Sequence, residues 1–139
     1  MAKYDAYGTS LYKGTTTGTA YAQVTNISGP GLSLDTVDVT SHDSTSGWEE
    51  VIGTILRSGE VSLDIVYDPA NATHKYAEGG LIYDLAARAA ITFTLVFPDA
   101  ATTEWTFSGL ITGFEPTASV DGALTATVTI KPTGVVTLV

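Results

Sequence analysis

The stretch "EVSLDIVYDP" at residues 60–69 decides how this chain is read. Val61, Leu63, Ile65 and Tyr67 alternate with Glu60, Ser62 and Asp64. Successive side chains of a strand point to opposite faces, so a period of two marks a strand with one buried and one open side. Pro69 ends it, because proline has no N–H to give to a ladder. The pattern recurs downstream. "ITFTLVF" sets Ile91, Phe93, Leu95 and Phe97 against Thr92 and Thr94. "EWTFSGLI" sets Trp105, Phe107 and Gly109 against Thr106 and Ser108. "ALTATVTIKP" sets Leu124, Ala126, Val128 and Ile130 against Thr125, Thr127, Thr129 and Lys131. Upstream, "AYAQVTNI" at 20–27 and "LSLDTVDVT" at 32–40 read as strands on either side of a "GPG" turn, and "VVTLV" reads as a last strand.

One segment, "NATHKYAEGGLIYDLAARAA" at 71–90, has helical spacing. Leu81 and Leu85, flanked by Ile82, Ala77, Ala86 and Ala89, make an apolar stripe. Asn71 or Thr73 would cap its start. Gly79 and Gly80 weaken it by roughly 1 kcal/mol each relative to alanine, so the helix should be short. His74 would begin it, with no evident partner. The fold class expected is mainly β: an antiparallel β-sandwich or barrel with one short α-helix packed against it and a long inter-strand loop.

The totals agree. The chain has 139 residues, the size of one domain, and 44% hydrophobic against 15% charged residues supplies a core and excludes a disordered chain. A net charge of −9 with six basic residues spread along the chain makes no basic face for nucleic acid. The acidity reads either as solubility or as a surface that repels anions. There are no cysteines, hence no disulfide framework, thiolate metal site or cysteine nucleophile. No signal peptide or membrane-spanning run is evident, which leads to an expectation that the chain is made and kept in a cytoplasm, without membrane contact, unless it leaves inside a larger assembly. The sequons at Asn26 and Asn71 are read as chance. The open faces of the strands carry Thr, Ser and Asp where solvent-facing strands usually carry long charged side chains. Such a face suits lining something; it is equally what strand propensity for threonine alone produces.

Residues 41–59 form the long loop, and "SHDSTSGWEE" in it has the letters of a catalytic or metal site. Adjacent residues cannot converge into a Ser–His–Asp relay, and Ser44 is in no Gly-x-Ser-x-Gly elbow. His42 and Asp43 would supply two metal ligands, with no second cluster at ligand spacing. The polar residues read better as local turn formers. Trp48, followed by Val51, Ile52, Ile55 and Leu56, makes the loop too apolar to be left in water, which implies burial against a partner. Trp105, on the alternating face with Phe107, reads as core.

The region "VDVTSHDSTSGWEEVIGTILRSGEVSLDIVYDP" resembles the signature region of the major tail, or tail tube, proteins of long-tailed bacteriophages. The likeness continues through "HKYAEGGLIYDL", "FTLVFPDA" and "FSGLITGFEPTASVDGALTATVTIKPTG", from about residue 20 to 134, with 1–19 the least diagnostic part. It implies a structural virion protein rather than an enzyme, with no cofactor or metal. Subunits would form hexameric rings, stacked head to tail into a hollow tube whose lumen conducts DNA into the host. The implied partners are further copies of the chain and the tape-measure, tail-tip and tail-terminator proteins, with DNA passing through unbound. The chain would be a single tail tube domain over 1–139, with an N-terminal arm at 1–19, an assembly loop at 41–59 and no C-terminal immunoglobulin-like domain.

Under this reading His42, Asp43, Trp48, Val51, Ile52, Ile55 and Leu56 contact another subunit. Glu60, Ser62, Asp64, Thr125, Thr127 and Thr129 face the lumen, with Lys131 near a rim. Two alternatives remain: the tube of a type VI secretion-like or contractile system, and a sugar-binding β-sandwich module. The last would expose aromatics on a concave face and stay small in solution.

Overall fold

The computed structural model describes residues 3–14 and 19–138. In chain order these form β1 (Ser10–Lys13), β2 (Thr19–Ala20), β3 (Val24–Ser28), β4 (Leu32–Asp38), β5 (Val51–Ser58), β6 (Val61–Val66), α1 (Leu81–Ala87), β7 (Ile91–Val96), β8 (Glu104–Thr117) and β9 (Thr125–Leu138). A single 3-10 turn, Thr45–Gly47, precedes β5. Seven strands make one antiparallel sheet in the order β2-β1-β7-β8-β9-β6-β3, while β4 and β5 pair only with each other. The large sheet curls into a half-barrel with one helix, in keeping with the expected class. Register shifts in β8, between Thr106 and Ser108 and between Ile111 and Gly113, give a physical cause for the curl, since an extra residue on one strand bends and twists it.

The alternating residues build the core. Val61, Leu63 and Ile65 of β6 pair across the ladder with Ile130, Val128 and Ala126 of β9, and all six are buried. Phe93 and Phe107 lie opposite each other on β7 and β8 with stacked rings, centroids 5.6 Å apart. Leu81 of α1 joins the same cluster. Removing each large side chain from water contributes about 1.5–3 kcal/mol, and this outweighs any intrinsic strand preference. Trp105 is half-buried, its ring edge-on to Phe97 at 5.3 Å.

Several segments differ from the sequence reading. The expected strand at 20–27 is two pieces, β2 and β3, separated by a turn in which Gln23 takes a positive φ. Part of the segment expected as an arm is sheet: β1 pairs with β7 and buries Leu11, while residues 1, 2 and 15–18 of that segment lie outside those described. The segment "VVTLV" is not a separate strand but the end of β9, as far as Leu138; Val139 lies outside the described residues.

The helix starts ten residues after Asn71, and neither Asn71 nor Thr73 caps it. The N-cap is Gly80. A side chain at Gly80 would run into the Lys75 carbonyl oxygen, and Gly79 has φ +95°, so the chain turns here before it can wind. Asn71 instead holds the preceding turn, accepting from the Thr73 amide at 2.9 Å and hydroxyl at 2.7 Å. Lys13 of β1 ties the helix to the sheet through an ion pair with the buried Asp84, 3.0 Å long.

His74 is fully buried and has partners after all. The Asp68 amide donates to its Nδ1 (3.2 Å), which leaves Nε2–H to donate to the Ala22 carbonyl (2.6 Å). The neutral imidazole thus clasps the turn after β6 to the β2–β3 turn, a structural role that accounts for the residue fully.

Candidate assembly surfaces

The second half of the 41–59 loop is strand. β5 returns antiparallel along β4, with Leu32 opposite Ser58, Leu34 opposite Leu56, Val37 opposite Ile52 and Asp38 opposite Val51. The register shift between Leu34 and Thr36 inserts one extra residue in β5. Gly53 sits where the Leu34 side chain crosses: a Cβ there would come within 2.9 Å of a Leu34 methyl. The reading as loop failed because this apolar run does not alternate. It does not alternate because neither face of the hairpin is buried in the subunit.

Leu32, Leu34, Val51 and Leu56 stand on one face and Val37 and Ile52 on the other, all about half or more exposed, with Leu56 at 82%. Ile55 is exposed too, in the bulged stretch. A hairpin of two strands buries too little to fold stably alone, and this one touches the large sheet chiefly where β5 nears β9. Leu32, Leu34 and Val37 belong to this surface although the sequence reading placed none of them there. The signal was available: two apolar stretches of matching length flank "TSHDSTSGWEE", which is how a hairpin looks in sequence.

The tip, residues 39–50, is held by its own polar groups. Glu50 N–H donates to the Thr40 hydroxyl (2.8 Å), the Ser44 hydroxyl to the Glu50 carboxylate (3.0 Å), and Ser41 N–H to the Ser44 hydroxyl (3.0 Å). Hydrogen bonds from Thr40 also hold the Asp38 carboxyl below its usual range. Ser44, the serine of the apparent catalytic letters, is therefore spent on turn formation. His42 and Asp43 are exposed, Trp48 is 75% exposed at the apex, and no group of three or more metal-binding side chains occurs among the described residues.

The other candidate surface is the face of β6 and β9 opposite the core. Directly paired residues share a face, and the register pairs Ser62 with Thr129, Asp64 with Thr127, and Val66 with Thr125. Asn26 of β3 and Glu115 of β8 extend the Asp64–Thr127 row on either side. The Thr127 hydroxyl donates to Asp64 Oδ1 (3.1 Å) and the Asn26 amide to Oδ2 (3.3 Å). Glu60 lies one residue ahead of β6 and is exposed; Lys131, opposite Leu110 of β8, continues the face toward one end. The structure thus brings Ser62, Asp64, Thr125, Thr127 and Thr129 onto one face, lined by short hydroxyl, amide and carboxylate groups.

Among the described residues the curled sheet ends at β2 and β3, an apolar hairpin stands off it, and its face opposite the core is polar. The family model described as the lambda phage tail tube protein matches residues 3–139, and the chain belongs to that family. Its members are structural components of virion tails. Comparison with curated proteins yields no sequence match. Among solved structures the fold is similar to a chain of the virion of a native gene transfer agent particle, with a TM-score of 0.74 at 18% identity over 99% of both chains. It is also similar to a chain of the sheath/tube terminator of an extracellular contractile injection system (TM-score 0.72, 13% identity, 99% of this chain and 97% of that one). The SPP1 tail tube is a third (TM-score 0.59, 11% identity, 91% and 72%). No helix among the described residues is long and apolar enough to cross a membrane.

Proposed function

We propose that this protein polymerises as stacked hexameric rings into a tail tube and that the lumen of the tube conducts DNA into the host. The observation that carries the reading is the β4–β5 hairpin, apolar on both faces and unburied within its own subunit. Open sheet edges at β2 and β3 support it, since an edge strand accepts another strand by backbone hydrogen bonding and so joins neighbours around a ring. The family and the C6 symmetry of the similar gene transfer agent tail are consistent with six copies per ring.

In this arrangement the hairpin, with Trp48, Val51, Ile52, Ile55 and Leu56 and with His42 and Asp43 at its tip, packs on a neighbouring subunit. The polar face with Glu60, Ser62, Asp64, Thr125, Thr127 and Thr129 lines the lumen, and Lys131 lies toward a rim. Each phosphate held by a cation adds salt-dependent affinity. A wall of hydroxyls and carboxylates holds none, so DNA slides. Tape-measure, tail-tip and tail-terminator proteins are the partners at the ends and along the lumen. The test is negative-stain microscopy of the purified protein. Rings or long hollow filaments are the expected result, and particles that stay monomeric at high concentration overturn the reading.

A further inference from the structure

The hairpin tip carries uncompensated negative charge. Arg57 is already paired with Asp35 at 2.7 Å, and no lysine or arginine occurs between Leu32 and Leu56. Asp38, Asp43, Glu49 and Glu50 thus lie on the hairpin that carries the exposed Trp48, with no lysine or arginine between them. At the opposite pole of composition is the corner formed by α1 and the turn before it. Lys75 precedes Tyr76 at the start of this corner and Arg88 ends α1, neither in an ion pair among the described residues, and Tyr76 and Tyr83 are 68% and 40% exposed with ring centroids 6.1 Å apart. The acids of that corner are Glu78, which is exposed, and Asp84, whose charge Lys13 answers. Tyrosine and arginine are enriched at interface centres, and a tryptophan face attracts lysine and arginine cations.

We infer that the hairpin tip of one subunit docks on the α1 corner of a second copy of this chain, with Trp48 against Tyr76 and Tyr83 and with Asp43 and Glu49 facing Lys75 and Arg88. The inference rests on the polymerisation proposed above and names the surface that receives the hairpin. Tip and corner are different patches carried by every copy, so the contact is heterologous and repeats from copy to copy. It also gives assembly a polarity, since a free tip marks one end and a free corner the other.

The experiment is a charge swap read by negative stain and sedimentation, with circular dichroism melting of each variant as a folding control. Lys75→Glu with Arg88→Glu, and separately Asp43→Lys with Glu49→Lys, should each leave melting unchanged and lower the polymerised fraction by roughly tenfold or more. The four substitutions combined should restore it. Polymerisation of the Lys75→Glu/Arg88→Glu variant at the wild-type level overturns the docking site while the tube reading stands, and so does failure of the combined variant to recover. A wild-type protein that never polymerises overturns the tube reading, and the docking site with it. As a second readout, filaments assembled from a mixture of Thr45→Cys and Glu78→Cys copies of this cysteine-free chain should form an intermolecular disulfide; no cross-link there also counts against the site.

Discussion

The chain makes two β-structures from nearly the same vocabulary, and they meet opposite fates. Strand β6 buries Val61, Leu63 and Ile65 completely under its neighbours. Strand β5, two residues earlier in the chain, leaves Val51, Ile52, Ile55 and Leu56 facing solvent. Hydrophobicity does not separate them. What separates them is neighbours: β6 lies between β9 and β3, whereas β5 has β4 alone. Apolar area that folding leaves uncovered is area that association can cover, so the first structure supplies the subunit's stability and the second, in the proposed tube, its contact with other copies.

This contrast is easiest to break with paired substitutions. Phe93→Ala in the large sheet should cost about 3–5 kcal/mol, from lost transfer energy and the cavity left behind. It should lower the melting temperature of the free subunit by roughly 10 °C or more. Leu34→Ser with Leu56→Ser on the hairpin should change that melting temperature by no more than the equivalent of about 0.5 kcal/mol per site while abolishing filaments in negative stain. If the hairpin pair melts like the core variant, the division between the two structures is wrong.

A smaller effect is expected at His74. Its replacement by Leu strands the Asp68 amide and the Ala22 carbonyl, each without a partner, and should cost about 1–3 kcal/mol in denaturant unfolding with assembly unaffected. A loss of assembly at unchanged stability would move this residue from scaffold to interface.

The smallest effect belongs to the turn between β7 and β8. The Thr103 hydroxyl and amide donate to Asp99 at 2.6 and 2.7 Å and hold its carboxyl below the ordinary 3.8. A carboxyl depressed in the folded state stabilises it above the unfolded value and loses that contribution as pH falls through the folded one. The turn should therefore loosen only below the usual carboxylate range. An NMR titration of Asp99 should show a midpoint under 3.8 that rises toward it in Thr103→Val.

The sequence was legible wherever burial was one-sided. β6, β7, the first half of β8 and β9 could be read because one face packs on the core and the other is open, and that asymmetry writes the period of two. β5 could not be read, since "VIGTIL" packs on neither side within the subunit and so keeps no alternation. The start of α1 was hidden because its boundary is set by a close backbone approach between Gly80 and Lys75 rather than by a capping side chain. His74 looked partnerless because its acceptor, Ala22, is 52 residues away in sequence. At the candidate surfaces, the polar register of β6 with β9 and the apolar character of the hairpin were both visible. The contribution of Leu32, Leu34 and Val37 was missed, although the matching apolar stretches on either side of the tip signalled it.

The isolation of β4 and β5 from the large sheet bears on where a polymer starts. A two-stranded hairpin is only marginally ordered alone, so under the proposed polymerisation each free subunit gives up conformational freedom at the moment its hairpin is covered. When two free subunits meet, that entropy is spent before much apolar area has been gained. When a subunit joins an existing end, a preformed surface receives a single hairpin and the gain is immediate. On that reading the hairpin penalises spontaneous beginnings more than continued growth, so tubes of the purified protein start only at high concentration, and below it a tube starts where something first holds a hairpin still.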